Sequence, residues 1–96
     1  MIVSFKNRGT EDIYDGKDSK AARRTLPREL HRRAAGVLDQ LNAAVSLKSL
    51  SLPGLALEKL KGDRKGQHSL RINDQYRVCF RWTDAGAEAV ELVDYH

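Results

Sequence analysis

The sequence predicts an α+β domain: an N-terminal strand and two helices packed on a mainly antiparallel sheet, in the order β-α-α-β-β-β-β. Three observations carry that expectation. Residues 68–72 and 76–82 alternate apolar and polar side chains, the period of a sheet with one buried face. Leu30, Ala34, Val37, Leu38, Leu41, Ala44 and Val45 recur instead at i, i+4, i+7 and i+8, the stripe of an amphipathic helix. The chain has 96 residues, 41% of them hydrophobic, enough for one modest core, so residues 1–96 are expected to form a single domain.

In chain order, residues 1–5 are β-prone and form the expected first strand. Residues 10–16 read as a short helix, with Thr10 as N-cap, Glu11 and Asp12 at the positive end of the dipole, and Gly16 as its stop. Residues 17–24 hold Lys17, Lys20, Arg23 and Arg24 without a large apolar side chain. They read as a solvated linker, with a mobile phosphate-binding arm as the alternative. Thr25 then caps the long helix, and Pro27 fits its first turn. Arg28, His31, Arg32 and Arg33 make that helix start basic, which opposes the dipole, and His31 is expected at the surface. Residues 46–53 form an irregular connection whose Leu47, Leu50 and Leu52 turn back onto the core. Residues 55–60 are a short strand, and the glycines at 62 and 66 turn the chain into a meander.

Parity fixes the meander. One core requires Leu70 and Ile72 to share a face with Tyr76, Val78, Phe80 and Trp82. Only a three-residue loop, Asn73, Asp74 and Gln75, pairs Leu70 with Val78 and Ile72 with Tyr76. A turn near residues 83–86 then brings Val90 and Leu92 to the core and leaves Val93 and Tyr95 beside Arg77. The other face carries Arg71, Arg77 and Arg81 with Cys79 among them. A row of arginines suits an anionic partner.

Composition narrows the classes. Seventeen Lys and Arg against thirteen Asp and Glu give a net charge of +4, weakly favouring such a partner. No apolar run approaches a bilayer span and the start lacks a signal-peptide pattern, so a cytoplasmic protein without membrane contact is expected. The single Cys79 allows no internal disulfide, and His31, His68 and His96 lack the spacing of metal ligands. Neither a metal nor another cofactor is expected.

Leu60-Lys61-Gly62-Asp63-Arg64, Asn73-Asp74-Gln75-Tyr76-Arg77 and the closing Asp94-Tyr95-His96, in this order and at this length, resemble the HigB (host inhibition of growth) toxins of the RelE/ParE superfamily. The resemblance spans essentially the whole chain. It implies a small RelE-like fold and a toxin of a bacterial type II toxin–antitoxin system, a ribosome-dependent endoribonuclease that cuts mRNA and so inhibits translation. It implies as partners the 70S ribosome, mRNA and a helix-turn-helix (HigA-type) antitoxin, with operator DNA met only through the antitoxin. The family site falls on Lys61, Arg77, Asp94, Tyr95 and His96. Where some relatives carry a histidine three residues before the Lys-Gly pair, this chain has Glu58. Arg71, Arg81, Arg64, Lys65 and Lys59 complete the expected RNA- and ribosome-binding surface.

Metal-free RNA cleavage uses the substrate's own 2′-hydroxyl against the adjacent phosphorus. It needs a base for that hydroxyl, cations for the phosphoryl oxygens and an acid for the leaving 5′-oxygen. Arg77 and Lys61 suit the charge, and an imidazole with an unperturbed pKa of about 6.5 makes His96 a natural acid or base. Tyr95 suits stacking on a base or bonding a phosphate, and Asp94 suits orienting His96 or acting as base; Glu58, Asp94 and His96 all stay open as the general base. Two other functions fit the same chain: a non-nuclease toxin of the superfamily that inhibits DNA gyrase, and a non-catalytic RNA- or ribosome-binding module.

Overall fold

A computed structural model describes residues 1–95; His96 lies outside the described residues. Among the described residues, three α-helices lie on one face of a four-stranded antiparallel sheet. The helices are α1 (Arg8–Tyr14), α2 (Lys20–Thr25) and α3 (His31–Ala43). The strands are β1 (Glu58–Lys59), β2 (His68–Arg71), β3 (Tyr76–Thr83) and β4 (Gly86–Asp94), adjacent in chain order. The predicted α+β architecture is present, with several elements differently bounded.

The meander follows the parity argument. Leu70 pairs with Val78, and Ile72 donates its N–H to the Tyr76 carbonyl across the loop of residues 73–75. Asn73 organises that loop, its Oδ1 accepting from the N–H groups of Gln75 and Tyr76. Leu70, Val78, Phe80, Val90 and Leu92 are buried against Ala34, Leu38 and Leu41 of α3. Each large side chain so buried contributes about 1.5–3 kcal/mol. Between Cys79 and Arg81 the β3–β4 register shifts by one residue. Ala89, at φ 52°, takes up the extra residue, so Glu88 lies across from Arg81 on the outer face while Val90 stays in the core.

The N-terminal segment is less than the expected strand. Ile2 and Phe5 form isolated parallel bridges to Ala87 and Val90 of β4. Asn42 Oδ1 accepts the Ile2 N–H and the bulge at Ala89 interrupts the partner strand, so no continuous ladder forms. Asn7, not Thr10, caps α1 through its side chain. Thr10 is instead buried, and its hydroxyl accepts the Leu92 N–H, fastening α1 to β4. Gly16 does end α1: Lys17 N–H reaches Asp12 O and Gly16 N–H reaches Ile13 O, the paired bonds of a left-handed C-cap.

The largest departure is the expected linker, which contains α2. Ser19 caps it, its Oγ accepting from Ala22 N–H while donating to the buried Asp12. No large apolar residue is needed, because α2 meets α1 where Gly9 has no side chain. A Cβ on Gly9 would lie 2.6 Å from the Ala21 carbonyl oxygen. Small residues thus do the packing, with Ala22 fully buried. Thr25 closes α2 rather than opening α3, and Pro27 holds Leu26 extended (φ −153°, ψ 142°), which separates the two helices. α3 then begins at His31 and stops at Ala43, so Val45 falls beyond the stripe and is 91% exposed. Leu50 reaches the core but Leu52 stays outside. The strand expected over residues 55–60 shortens to β1 because Ala56 is left-handed (φ 44°).

Candidate active site

Arg77 is the centre of the outer sheet face. It sits at the second position of β3, across from Arg71 on one side and Val93 on the other. Its Nε donates to Ser69 Oγ at 2.7 Å and its Nη2 to the Ala56 carbonyl at 2.6 Å. Glu58 Oε2 lies 3.7 Å from the same Nη2, and the Tyr95 ring centroid is 6.0 Å from the guanidinium carbon. Sequence parity placed Arg77 on the non-core face, and in the structure its side chain there is only 13% exposed. Neighbouring strands and the 53–56 turn hold the fork before any ligand arrives.

Glu58, Arg77 and Tyr95 are therefore brought together. Tyr95 is fixed from its backbone, its N–H donating to the Gln75 carbonyl at 2.8 Å. Asp94 is nearby but differently directed. It pairs with Tyr76 in the β3–β4 ladder, and its Oδ2 accepts from Gln75 Nε2 at 3.0 Å. Lys61 is exposed on the β1–β2 loop, where Lys59, Leu60, Lys61, Gly62 and Lys65 line a hollow of about 390 Å³. The expected role of His96 lies outside the described residues. Ser69 and the Ala56 carbonyl were not singled out by the sequence. Ser69 carries a signal in retrospect, a small hydroxyl on the arginine face between Glu58 and Cys79. The Ala56 carbonyl carries none, since its direction depends on a left-handed residue.

The other expected RNA-binding arginines are not a bare row. Arg64 Nη1 lies 3.2 Å from both Gln67 Oε1 and Glu91 Oε1, and Lys6 Nζ is 4.0 Å from the same carboxylate. Arg71 donates to Asp74 Oδ1 at 2.6 Å. Arg81 faces Glu88 across the ladder, and its guanidinium rests over Gly66, where a Cβ would lie 2.7 Å from Nη1. Interleaved acids thus temper the face. The exposed Arg71–Asp74 pair contributes about 0–1 kcal/mol, so a phosphate competes for Arg71 readily, whereas Arg64 and Glu91 are half-buried.

Beneath Arg64, Glu91 and Arg77, Cys79 is fully buried, and burial above all pushes its thiol pKa up. The thiol therefore stays protonated and is a poor nucleophile. His31 is not the surface residue expected. Its Nε2 lies 2.8 Å from Leu26 O and 3.1 Å from Ala22 O, tying α3 to the end of α2. His68 stacks on Phe80 (centroids 6.1 Å apart) with its Nδ1 shut away and without a hydrogen-bond partner among the described residues. Burial, and then Lys59, hold its pKa below 6.5. The unfolded chain takes up this proton more readily. Stability from neutral His68 is thus full above about pH 6.5 and lost as pH falls towards the lower folded value. His68→Phe is expected to flatten the fall in melting temperature between about pH 6.5 and 5; an unchanged pH profile would reject this role.

The fold is that of a known class. Compared with solved structures, the chain is similar in fold to the YoeB–YefM complex from Staphylococcus aureus, with TM-score 0.58, 15% identity, and 100% of this chain and 98% of that one covered. Residues 3–96 match the family model for the RelE-like toxin of type II toxin–antitoxin systems, HigB. The chain is 35% identical over 88 residues to Toxin HigB-1 of Vibrio cholerae serotype O1, spanning 91% of this chain and 90% of that protein. It is 27% identical over 96 residues to Endoribonuclease HigB of Proteus vulgaris, with both chains covered fully. The protein belongs to the HigB family of RelE-like toxins of type II toxin–antitoxin systems. Membership of such a system makes an antitoxin its partner. Among the described residues no helix is long and apolar enough to cross a membrane.

Proposed function

We propose that residues 1–96 act as one toxin domain, a cytoplasmic endoribonuclease that cuts mRNA on the 70S ribosome and is neutralised by a helix-turn-helix antitoxin. The observation that carries this reading is the fixed guanidinium of Arg77, held by Ser69 and Ala56 and flanked by Glu58 and Tyr95. The name of the Proteus vulgaris relative supports the activity. Arg77, with Lys61 from the neighbouring loop, holds the phosphoryl oxygens and stabilises the charge that builds on them. Glu58 takes the 2′-hydroxyl proton, and the 2′-oxygen bonds to phosphorus. The P–O5′ bond breaks as His96 protonates the leaving oxygen, giving a 2′,3′-cyclic phosphate and a 5′-hydroxyl. Tyr95 stacks on a base beside the scissile phosphate, and Asp94 supports the end of β4.

The few stacking platforms among the described residues of the sheet face support ribosome dependence. Tyr95 is 37% exposed beside Arg77, while Phe80 is buried, so the sheet face grips free single-stranded RNA poorly. Purified protein with mRNA should cut only when translating ribosomes are present. Equal cutting of naked RNA would remove the ribosome from this scheme.

Glu58 gives a sharper test. Glu58→Gln is expected to slow single-turnover cleavage about 10²–10⁴-fold, the range of a lost general base, without weakening ribosome binding. Glu58→His should keep part of the activity. An unchanged rate in Glu58→Gln would reduce Glu58 to an ion-pair partner of Arg77.

A further inference from the structure

Arg64 and Arg81, expected to meet RNA, are both engaged with the loop that carries Lys61. That loop, residues 61–67, joins β1 to β2. Its neck is closed by the Leu60 N–H donating to the Gln67 carbonyl at 2.9 Å. Within it the Arg64 N–H reaches the Lys61 carbonyl at 3.3 Å, and the Gln67 N–H reaches the Arg64 carbonyl at 3.0 Å. These bonds shape the loop without fastening it to the sheet. The Arg64 side chain does that. The strand order β1-β2-β3-β4 puts β4 two strands, about 10 Å, from β2. The Arg64 fork crosses this gap above Cys79 of β3, its Nη1 3.2 Å from both Gln67 Oε1 and Glu91 Oε1 on β4. Lys6 reaches the same carboxylate oxygen only at 4.0 Å. Arg64 and Glu91 are 30% and 19% exposed, so salt screens them less than a surface pair. From β3, Arg81 lies over Gly66, which has φ 91° and lacks the Cβ that would meet Nη1 at 2.7 Å.

We infer that Arg64 and Glu91 are positioning residues, a clasp that holds this loop on the sheet so that the Lys61 ammonium serves the same phosphate as Arg77. The inference rests on the role given to Lys61 above. Lysine is a point charge on a flexible stem, so the protein can fix only the backbone from which that stem departs. A loose loop would have to be ordered by the RNA itself, at an entropic cost to binding and to rate. The clasp orders it beforehand. It also accounts for an acid on a face that receives a polyanion. Glu91 would repel phosphate if left alone, but here it is answered by Arg64. Arg64 in turn is a poor phosphate contact, because its Nη1 already meets two acceptors. Lys59, Lys61 and Lys65 remain the exposed cations of the loop and its approach.

The test is a double-mutant cycle in the full chain, read by single-turnover mRNA cleavage at saturating 70S ribosomes and by amide hydrogen exchange of the free toxin. Glu91→Ala and Arg64→Met open the clasp from its two ends. Each should lower the rate about 10–100-fold, the cost of a misplaced catalytic group. In a Lys61→Ala background neither should lower it further, and the two together should do no more than either alone. Glu91→Gln keeps an acceptor for Arg64 without the charge and should recover part of the rate. In both clasp variants the amides of residues 64, 65 and 67 should exchange faster while those of β3 stay as in wild type, which separates an opened loop from an unfolded domain. An equal loss with and without Lys61 would overturn the proposal, as would an unchanged rate or a slower rate without faster loop exchange. A direct RNA contact by Arg64 gives opposite signs. Arg64→Met would then weaken ribosome binding and flatten its salt dependence, while Glu91→Ala, by freeing Arg64, would strengthen it; that pattern overturns the clasp too. The role of Lys61 fails separately, if Lys61→Ala alone cuts at the wild-type rate while Glu91→Ala still opens the loop, and it takes this proposal with it.

Discussion

Arg77→Ala is expected to lower single-turnover mRNA cleavage by about 10²–10³-fold, the cost of removing one preorganised stabiliser of transition-state charge. The guanidinium is already aimed, since Ser69 Oγ and the Ala56 carbonyl take its Nε and Nη2. Nothing must reorganise when charge builds on the phosphoryl oxygens. Arg77→Lys keeps a cation but loses the planar fork, and should recover only part of the rate. The same anchoring makes the alanine variant less stable, contrary to what a solvated arginine would give. Ser69 is fully buried and loses its donor, so a cost of about 1–3 kcal/mol is expected. Cleavage must therefore be measured well below the variant's own melting temperature. A stable Arg77→Ala protein that cuts at the wild-type rate would remove Arg77 from the chemistry.

Val78→Asp, one residue along the same strand, should unfold the domain. Val78 is completely buried between Leu70 of β2 and Leu92 of β4. An aspartate there has no cation within the core to meet it. The penalty is expected above about 4 kcal/mol, a large share of the 5–15 kcal/mol that ordinary domains possess. Far-UV circular dichroism and protease sensitivity read this directly. A Val78→Asp protein that melts like wild type would mean that the two faces of β3 are assigned the wrong way round.

The sheet was legible because its period is two. Once Leu70, Val78, Phe80 and Leu92 must share a core, the three-residue loop and the neighbourhood of Arg77 and Tyr95 follow. The helical layer was less legible because it departs from size and period. α2 meets Gly9 through Ala21 and Thr25 and buries Ala22, and such small residues leave no hydrophobic stripe to read. Pro27 suits the first turn of a helix and equally the break between two; Leu26, buried beside it, settles the matter through tertiary contact. Glu58, Arg77 and Tyr95 came from motif resemblance and parity together. Ser69, on β2, was visible only in retrospect as a small hydroxyl on the arginine face, and the Ala56 carbonyl not at all, since it depends on a left-handed turn.

The parallel seam between residues 2–5 and β4 has a consequence for how the toxin comes into being. Ala89 N–H donates to Ser4 Oγ across 85 residues, and Thr10 ties α1 to Leu92 across 82. The β3–β4 hairpin closes locally, but these contacts close a loop of nearly the whole chain, an entropic step that slows folding. Helix α1 lacks its Leu92 anchor, and residues 2–5 lack their seam, until β4 exists. A nascent chain lacking β4 is thus expected to be inert, and the toxin to appear all at once late in its own synthesis. In the finished protein the same seam should breathe first, with the Val3 and Lys6 amides exchanging ahead of those in β3.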